Sequence, residues 1–258
     1  MTDFPTPNLS NDLTGHVALV TGTTSGLGRR FAIVLAACGA KVALTGRRAD
    51  RLDELAAEIR AAGGVCEPSP FDITQPEQIN EVLDKAEAAL GLVDMLVNNA
   101  GIPDAQRAHK MSEDLVDRVF ATNLTGPWKL SCEVARRLIA AEQPGRMVNI
   151  SSVGAFDYSG GGAALYSVTK SAIVRMTECL AVEWARYNIN VNAIAPGAFS
   201  SEMMDGMLER IGDISKHFPR KRIGDPAQMD STLLYLLSPA SECVTGTYIK
   251  IDDGQGSR

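Results

Sequence analysis

The 258-residue chain predicts an α/β fold: one doubly wound parallel sheet with helices on both faces. Three observations carry it. Short β-rich runs alternate with amphipathic stretches of helical length along nearly the whole chain. The run "VDMLVNNAG" is apolar almost without interruption, as befits a parallel strand covered on both faces. A glycine-rich turn, "TGTTSGLG" at positions 21–28, joins the first strand to the first helix.

The elements follow in order. After a polar, Pro-bearing tail over residues 1–13, "HVALVTG" is the first strand. Leu27, Phe31, Val34, Leu35 and Cys38 then recur at helical spacing, and Gly39 stops the helix. "KVALTG" is the second strand, and Leu52, Leu55, Ala56 and Ile59 mark one face of the second helix. "VCEPSPFD" reads as a third strand whose Pro68 and Pro70 confine it to a sheet edge. Thr74 and Glu77 are spaced as a capping box that opens a third helix running to about Leu90. The fourth strand is "VDMLVNNAG"; a long helical stretch over 112–141 is interrupted near Gly126-Pro127. "GRMVNISS" and "INVNAIAPG" are the fifth and sixth strands, with a helix opening at "LYSVTKSAIV" between them. Helical stretches over 202–216 and 226–237 precede a last strand, "GTYIKID". No repeat or linker divides the series, so residues 14–258 are expected to form one domain.

Bulk properties exclude several classes. A net charge of -6 and a pI near 5.2 leave no electrostatic footprint for nucleic acid. The longest apolar runs are too short to span a membrane, so no membrane partner is expected. The five Cys and three His show no metal-ligand spacing; no metal site is expected, and reduced thiols place the chain in the cytoplasm.

Gly22, Gly26 and Gly28 stand in a spacing that suits close approach of backbone to a pyrophosphate. The following helix offers its free N–H groups and positive dipole end to the phosphates. At the end of the second strand, NAD-binding folds usually carry an acid for the ribose 2′-OH. Here Gly46 is followed by Arg47 and Arg48. An Arg fork suits a 2′-phosphate, so NADP(H) is preferred, NAD(H) remaining an option, with Arg47 the first contact and Arg48 the second.

Tyr166 and Lys170 are four apart and share a helix face. Alone, such a pair is a weak motif. Five motifs in order change that: "TGTTSGLG", "NNAG" at 98–101, "NISS" at 149–152, "YSVTK" at 166–170 and "NAIAPG" at 192–197. Together they resemble the short-chain dehydrogenase/reductase family from about residue 14 onward. The resemblance implies a Rossmann-type sheet of about seven strands, a nicotinamide coenzyme, and oxidoreduction of a carbonyl or secondary alcohol. It makes Tyr166 the proton donor in reduction, Ser152 a hydrogen-bond donor to the substrate oxygen, and Lys170 a contact of the nicotinamide ribose. Asn123 would hold a helix kink and a water in a relay to Lys170. A free phenol titrates near pH ~10, and bringing it to neutrality takes about 4 kcal/mol of preferential stabilisation. Lys170 and the charge of the oxidised coenzyme are the expected sources.

The resemblance also distributes coenzyme contacts. Thr24, Ser25 and Leu27 join the three glycines of the loop, and Asp72 and Ile73 follow the third strand. Asn99, Ala100 and Gly101 pass beside the adenosine ribose, while Asn98 stabilises the sheet. Pro196, Gly197, Phe199 and Ser201 follow the sixth strand; Ser201 aligns better than Ser200 with the family's Thr beneath the nicotinamide. The Ser152-to-Tyr166 interval is longer than usual, with "DYSGGGAA" bulging between them, and the C-terminal "IDDGQG" departs from the family's turn.

Residues 198–222 are expected to form a substrate lid, with Met203, Met204, Met207 and Leu208 as an adaptable apolar surface. Phe156, Tyr158 and Phe199 are candidates to line the pocket, and the substrate a ketone or 3-oxoacyl-type carbonyl. The helix after Tyr166 is apolar nearly all round, which calls for a covering subunit; the family resemblance implies that this subunit belongs to a homodimer or homotetramer. Two other readings stand beside the reductase: an NAD-dependent alcohol dehydrogenase, and a non-catalytic dinucleotide-binding sensor or scaffold.

Overall fold

The computed structural model describes residues 4–158 and 160–256, apart from the side chain of residue 211. Residues 1–3 of the expected tail, and Ser159 in the expected bulge before Tyr166, lie outside the described residues. Seven strands form one parallel sheet: β1 (Val17–Thr21), β2 (Lys41–Gly46), β3 (Val65–Pro70), β4 (Met95–Asn98), β5 (Gly145–Ile150), β6 (Ile189–Pro196) and β7 (Tyr248–Ile251). Their order is β3-β2-β1-β4-β5-β6-β7. β3 pairs only with β2, so the two prolines do sit at an edge.

Alternation along the strands divides the core. Ala18 and Val20 face one layer with helices α1 (Gly26–Ala37), α2 (Ala49–Ala61) and α8 (Asp230–Leu237). Val17 and Leu19 face the other with α3 (Gln78–Leu90), α5 (Gly126–Ala140) and α6 (Ala164–Trp184). The chain reverses direction across the sheet between β1 and β4. A doubly wound sheet opens its ligand crevice there, beyond the carboxyl ends of the strands. No helix among the described residues is long and apolar enough to cross a membrane.

Two expectations are corrected and a third is met. Leu13 is fully buried in the α1–α2 layer and its N–H donates to Cys38 O, while Ser238 Oγ donates to Ser10 O. The packed body therefore begins inside the expected tail, because Leu13 is the apolar plug at the foot of α1. Thr74 and Glu77 make no capping box: Thr74 N–H and Oγ–H donate to Asp72 Oδ1, and α3 starts only at Gln78, after Pro76. The interruption expected near Gly126-Pro127 is present, immediately before Gly126. A wide turn over Ala121–Thr125 separates α4 (Glu113–Phe120) from α5, and Gly126-Pro127 is the first turn of α5, where Pro needs no N–H partner.

Candidate active site

The glycine loop leaves β1 at Thr21 and becomes α1. Gly22 and Gly26 hold left-handed φ of 72° and 54°, which other residues adopt only with strain. No side chain caps α1 and no acid stands in its first turn, so its first N–H groups and positive end stay available to an anion. A Cβ on Gly28 would lie 2.3 Å from both Asn99 Nδ2 and the Gly22 carbonyl oxygen. The loop backbone is held from β4. Thr21 Oγ accepts from the N–H groups of Asn99 and Ala100, and Asn99 Nδ2 donates to the carbonyls of Thr21 and Gly22. The Asn99 side chain, expected beside the ribose, thus braces the loop.

The two arginines part company. Arg47 makes no bond with any described residue and lines a cleft of about 560 Å³ together with Asp72, at the open end of β3. Arg48 is occupied: it donates to Thr24 Oγ and, with both terminal nitrogens, to Glu202 at 3.1 and 3.0 Å. Asp72 faces the cleft while its Oδ1 tightens the turn to Thr74. Ile73 is buried, and its carbonyl would be 2.6 Å from a Cβ on Gly126.

Tyr166, Lys170, Ser152 and Asn123 come together at the carboxyl ends of β4 and β5. Lys170 is 4% exposed; its Nζ lies 5.5 Å from the Tyr166 ring centre and donates to Ile150 O at 2.8 Å. Ser152, just past β5, accepts the Gly154 N–H, and its Oγ and the edge of the Tyr166 ring lie 3.4 and 4.0 Å from the Cβ position of Gly154. Asn123 sits in the wide turn, 1% exposed, and its amide grips Ile102 twice, accepting from N–H at 2.8 Å and donating to C=O at 2.9 Å. Its Nδ2 also reaches Thr169 Oγ, whose hydroxyl donates to Tyr166 O. A Cβ on Gly101 would stand 3.4 Å from Lys170 Nζ and 3.5 Å from Asn123 Oδ1, so both groups face that glycine.

The electrostatics correct one expectation. Burial pushes the phenol of Tyr166 up from its ordinary value, the neighbouring Ser152 hydroxyl opposes it, and the Asp104 charge adds to the rise. Burial also brings Lys170 down to about 8, which still leaves the ammonium protonated at neutrality. In the chain by itself Lys170 does not make the phenol acidic; desolvation wins, and Tyr166 holds its proton.

Beyond β6, Gly197 N–H donates to Ile251 O, and Gln255 Oε1 accepts the Ala198 N–H. A Cβ on Gly197 would be 2.5 Å from that oxygen, so the unusual C-terminal turn closes directly on "PG". Phe199 is 7% exposed and packs on Gly224, part of the core rather than a pocket wall. Phe156 stacks on Tyr248 with ring centres 4.8 Å apart, and Tyr158 is exposed. Ser201 caps α7 (Glu202–Ile211) by accepting the Met204 N–H, and its Cβ lies 3.0 Å from the Cβ position of Gly26. The helix thus abuts the glycine loop.

Comparison with known proteins decides the family. The profile described as short chain dehydrogenase matches residues 16–211. The chain belongs to the short-chain dehydrogenase/reductase family. It is 34% identical over 243 residues to a 3-oxoacyl-(acyl-carrier-protein) reductase of Thermotoga maritima, covering 94% of this chain and 98% of that one. A short-chain dehydrogenase/reductase structure from Mycobacterium marinum superposes with a TM-score of 0.92 at 32% identity, covering 96% and 98% of the two chains. A Beutenbergia cavernae structure with bound NADP gives 0.88 at 34%, covering 96% and 99%. As a short-chain dehydrogenase/reductase the protein is an oxidoreductase acting on CH–OH or C=O with a nicotinamide dinucleotide. Its residues fit such a coenzyme: the uncapped start of α1, the glycines that a Cβ would fill, and the open cleft lined by Arg47 lie at the carboxyl ends of β1, β2 and β3.

Three contributors escaped the sequence reading. Asp104, Glu202 and Gln255 act through partners 61 or 62, 154 and 57 residues away. The one local signal was for Asp104, a lone acid soon after "NNAG" where the helix bearing Tyr166 lacks a capping residue of its own.

Proposed function

We propose that the protein is an NADP(H)-dependent reductase of ketones, 3-oxoacyl compounds or carbonyls of similar modest polarity, and that it forms the corresponding secondary alcohol. The convergence of Tyr166, Ser152 and Lys170 carries this reading: Ser152 Oγ and the Tyr166 ring meet beside Gly154, and Lys170 Nζ lies 5.5 Å from the centre of that ring. When bound, the coenzyme supplies hydride to the carbonyl carbon. The oxygen of that carbonyl gains negative charge, and two hydroxyls of the chain meet it. Tyr166 Oη transfers its proton, and Ser152 Oγ donates a hydrogen bond. A phenol raised by burial enters the reaction protonated, which suits the reductive direction. The Lys170 ammonium lies within one turn and restores the proton to the phenol side, while Asn123 and Ile102 hold that wall in place.

Arg47 supports the choice of NADP(H). It is the unpartnered cation of the pair and shares its cleft with Asp72, whereas Arg48 already has an anion. Arg47→Ala is expected to weaken NADPH binding about tenfold or more, with NADH affinity nearly unchanged. Unchanged NADPH affinity removes the assignment.

Assembly into a homodimer or homotetramer is part of the same reading. Val168 and Val182 on α6 are 57% and 81% exposed, and Trp128 on α5 is 44% exposed beside a shallow cavity between the two helices. Apolar surface of that kind favours a second copy. Five unbridged cysteines suit a reducing, cytoplasmic setting. The function is tested by following coenzyme oxidation against a panel of carbonyls with NADPH and NADH separately. Failure to oxidise NADPH with any ketone or 3-oxoacyl compound contradicts the reading.

A further inference from the structure

The helix that carries Tyr166 begins badly. Gly160, Gly161 and Gly162 precede it with left-handed φ of 99°, 86° and 83°, and they offer no side chain. Ala163 is the N-cap residue and has nothing with which to accept a bond; the first turn contains no acid. A helix start of this kind leaves N–H groups without partners and frays. Tyr166 lies in that first turn, the least secure position from which to aim a reacting hydroxyl.

The missing acceptor comes from the segment after β4. Asp104 is 3% exposed, and its Oδ2 accepts the N–H of Leu165 at 2.9 Å and of Tyr166 itself at 3.1 Å. Its Oδ1 accepts the N–H of Ala105 at 2.8 Å, so both oxygens are engaged. The same segment is tied at its other points. Asn123 grips Ile102, and Gln106 forms a backbone bridge with Ala163. A Cβ on Gly162 would stand 3.1 Å from the Gln106 carbonyl carbon, so the last glycine of the run lies against this strap. Residues 102–106 therefore connect the wide turn holding Asn123 to the amide of Tyr166.

We propose that Asp104 is a positioning residue for Tyr166, a helix cap delivered from a distant segment that fixes the first turn of α6 and with it the place of the phenol beside Ser152 and Lys170. The inference rests on the reading of Tyr166 as proton donor. It adds a specific cause for the phenol's fixed position, which the residue's own helix does not provide. A carboxylate is chosen over a neutral acceptor because bonds to an ionised acceptor are stronger, and one oxygen here serves two donors.

The test uses the full chain and two variants, Asp104→Ala and Asp104→Asn. Three quantities are measured: coenzyme affinity by fluorescence titration, kcat for carbonyl reduction, and amide hydrogen exchange in the coenzyme-free protein. Asp104→Ala is expected to lower kcat by on the order of tenfold to a hundredfold. Coenzyme affinity should stay within about threefold, with protection lost selectively at residues 165 and 166. Asp104→Asn, whose side-chain oxygen still accepts, should fall between wild type and alanine in both kcat and protection. Wild-type kcat in Asp104→Ala with only a lower melting temperature overturns the proposal. Reduced kcat with undiminished protection at 165 and 166 overturns it equally. Should the alanine variant fail to fold, Asp104→Asn decides: weakened local protection with slower turnover supports the cap, and wild-type values of both refute it. Exchange needs no turnover, and Tyr166→Phe is a separate variant. Failure of the cap is therefore distinguishable from failure of the proton-donor reading.

Discussion

The Arg48 guanidinium holds the Glu202 carboxylate by two bonds, 3.1 and 3.0 Å long, and also donates to Thr24 Oγ in the glycine loop. The start of α7 is thereby fastened to the end of β2, across the region where the coenzyme phosphates belong. No described side chain of α7 is buried, so this contact and the Ser201 cap carry much of its attachment.

Glu202→Gln is expected to leave the melting temperature almost unchanged, since both partners are exposed and such pairs contribute about 1 kcal/mol or less. Amide exchange within 202–210 should accelerate, and NADPH should bind a few-fold tighter because Arg48 is released, on the order of 1 kcal/mol. The bond to Arg48, then that to Ser25, holds the Glu202 carboxyl below its ordinary range. A depressed carboxyl stabilises above its unfolded value and loses that contribution as pH falls through the folded one. Acid loosening of α7 should therefore set in as pH falls through the usual carboxylate range and be complete only below it. Exchange in α7 that ignores both the substitution and acid would contradict this role.

Gly28→Ala should be severe. Its Cβ would meet the Gly22 carbonyl and Asn99 Nδ2 at 2.3 Å, and both belong to the backbone brace of the loop. The expected result is a loss of dinucleotide affinity of about tenfold or more, together with destabilisation of about 1–3 kcal/mol from overpacking. Calorimetric titration with coenzyme and thermal melts measure the two separately. Retained affinity would show that the loop does not cradle phosphate.

Lys170 should trade stability for chemistry. Burial lowers it to about 8, so between that value and its unfolded value the unfolded chain binds more protons than the folded one. Stability contributed by this group therefore rises with pH through that window and is at its lowest below it. Lys170→Met removes the buried ammonium. The variant should be more stable at neutral pH, by about 1–3 kcal/mol. Turnover should fall by on the order of a hundredfold. A variant both less stable and fully active would contradict both halves.

Much of the fold was legible because parallel strands buried on both faces have to be apolar, and "VDMLVNNAG" and "INVNAIAPG" show it without ambiguity. Pro68 and Pro70 announced the edge for a reason that belongs to the backbone alone: they cannot donate to a second neighbour. Boundaries decided by side-chain competition were not legible. Thr74 had two possible partners, and the Asp72 carboxylate won over the helix end. Leu13 looked like tail because nothing local shows the hole it fills at Cys38. Within the site, residues on one helix face, Tyr166 and Lys170, were readable from spacing. Asp104 and Glu202 were not, since their partners are brought near only by the closed fold. The direction of the Tyr166 shift was also hidden, because burial is a property of the packed molecule and outweighed the charge counted along the sequence.

The central claim is that the Tyr166 hydroxyl delivers the proton to the carbonyl oxygen, and Tyr166→Phe tests it most directly. The phenyl ring keeps the shape and removes only the reacting group. With NADPH and the best carbonyl of the panel, kcat should fall by on the order of a hundredfold to ten-thousandfold. Coenzyme affinity, read by fluorescence, should remain within about twofold. Turnover equal to wild type would contradict the account.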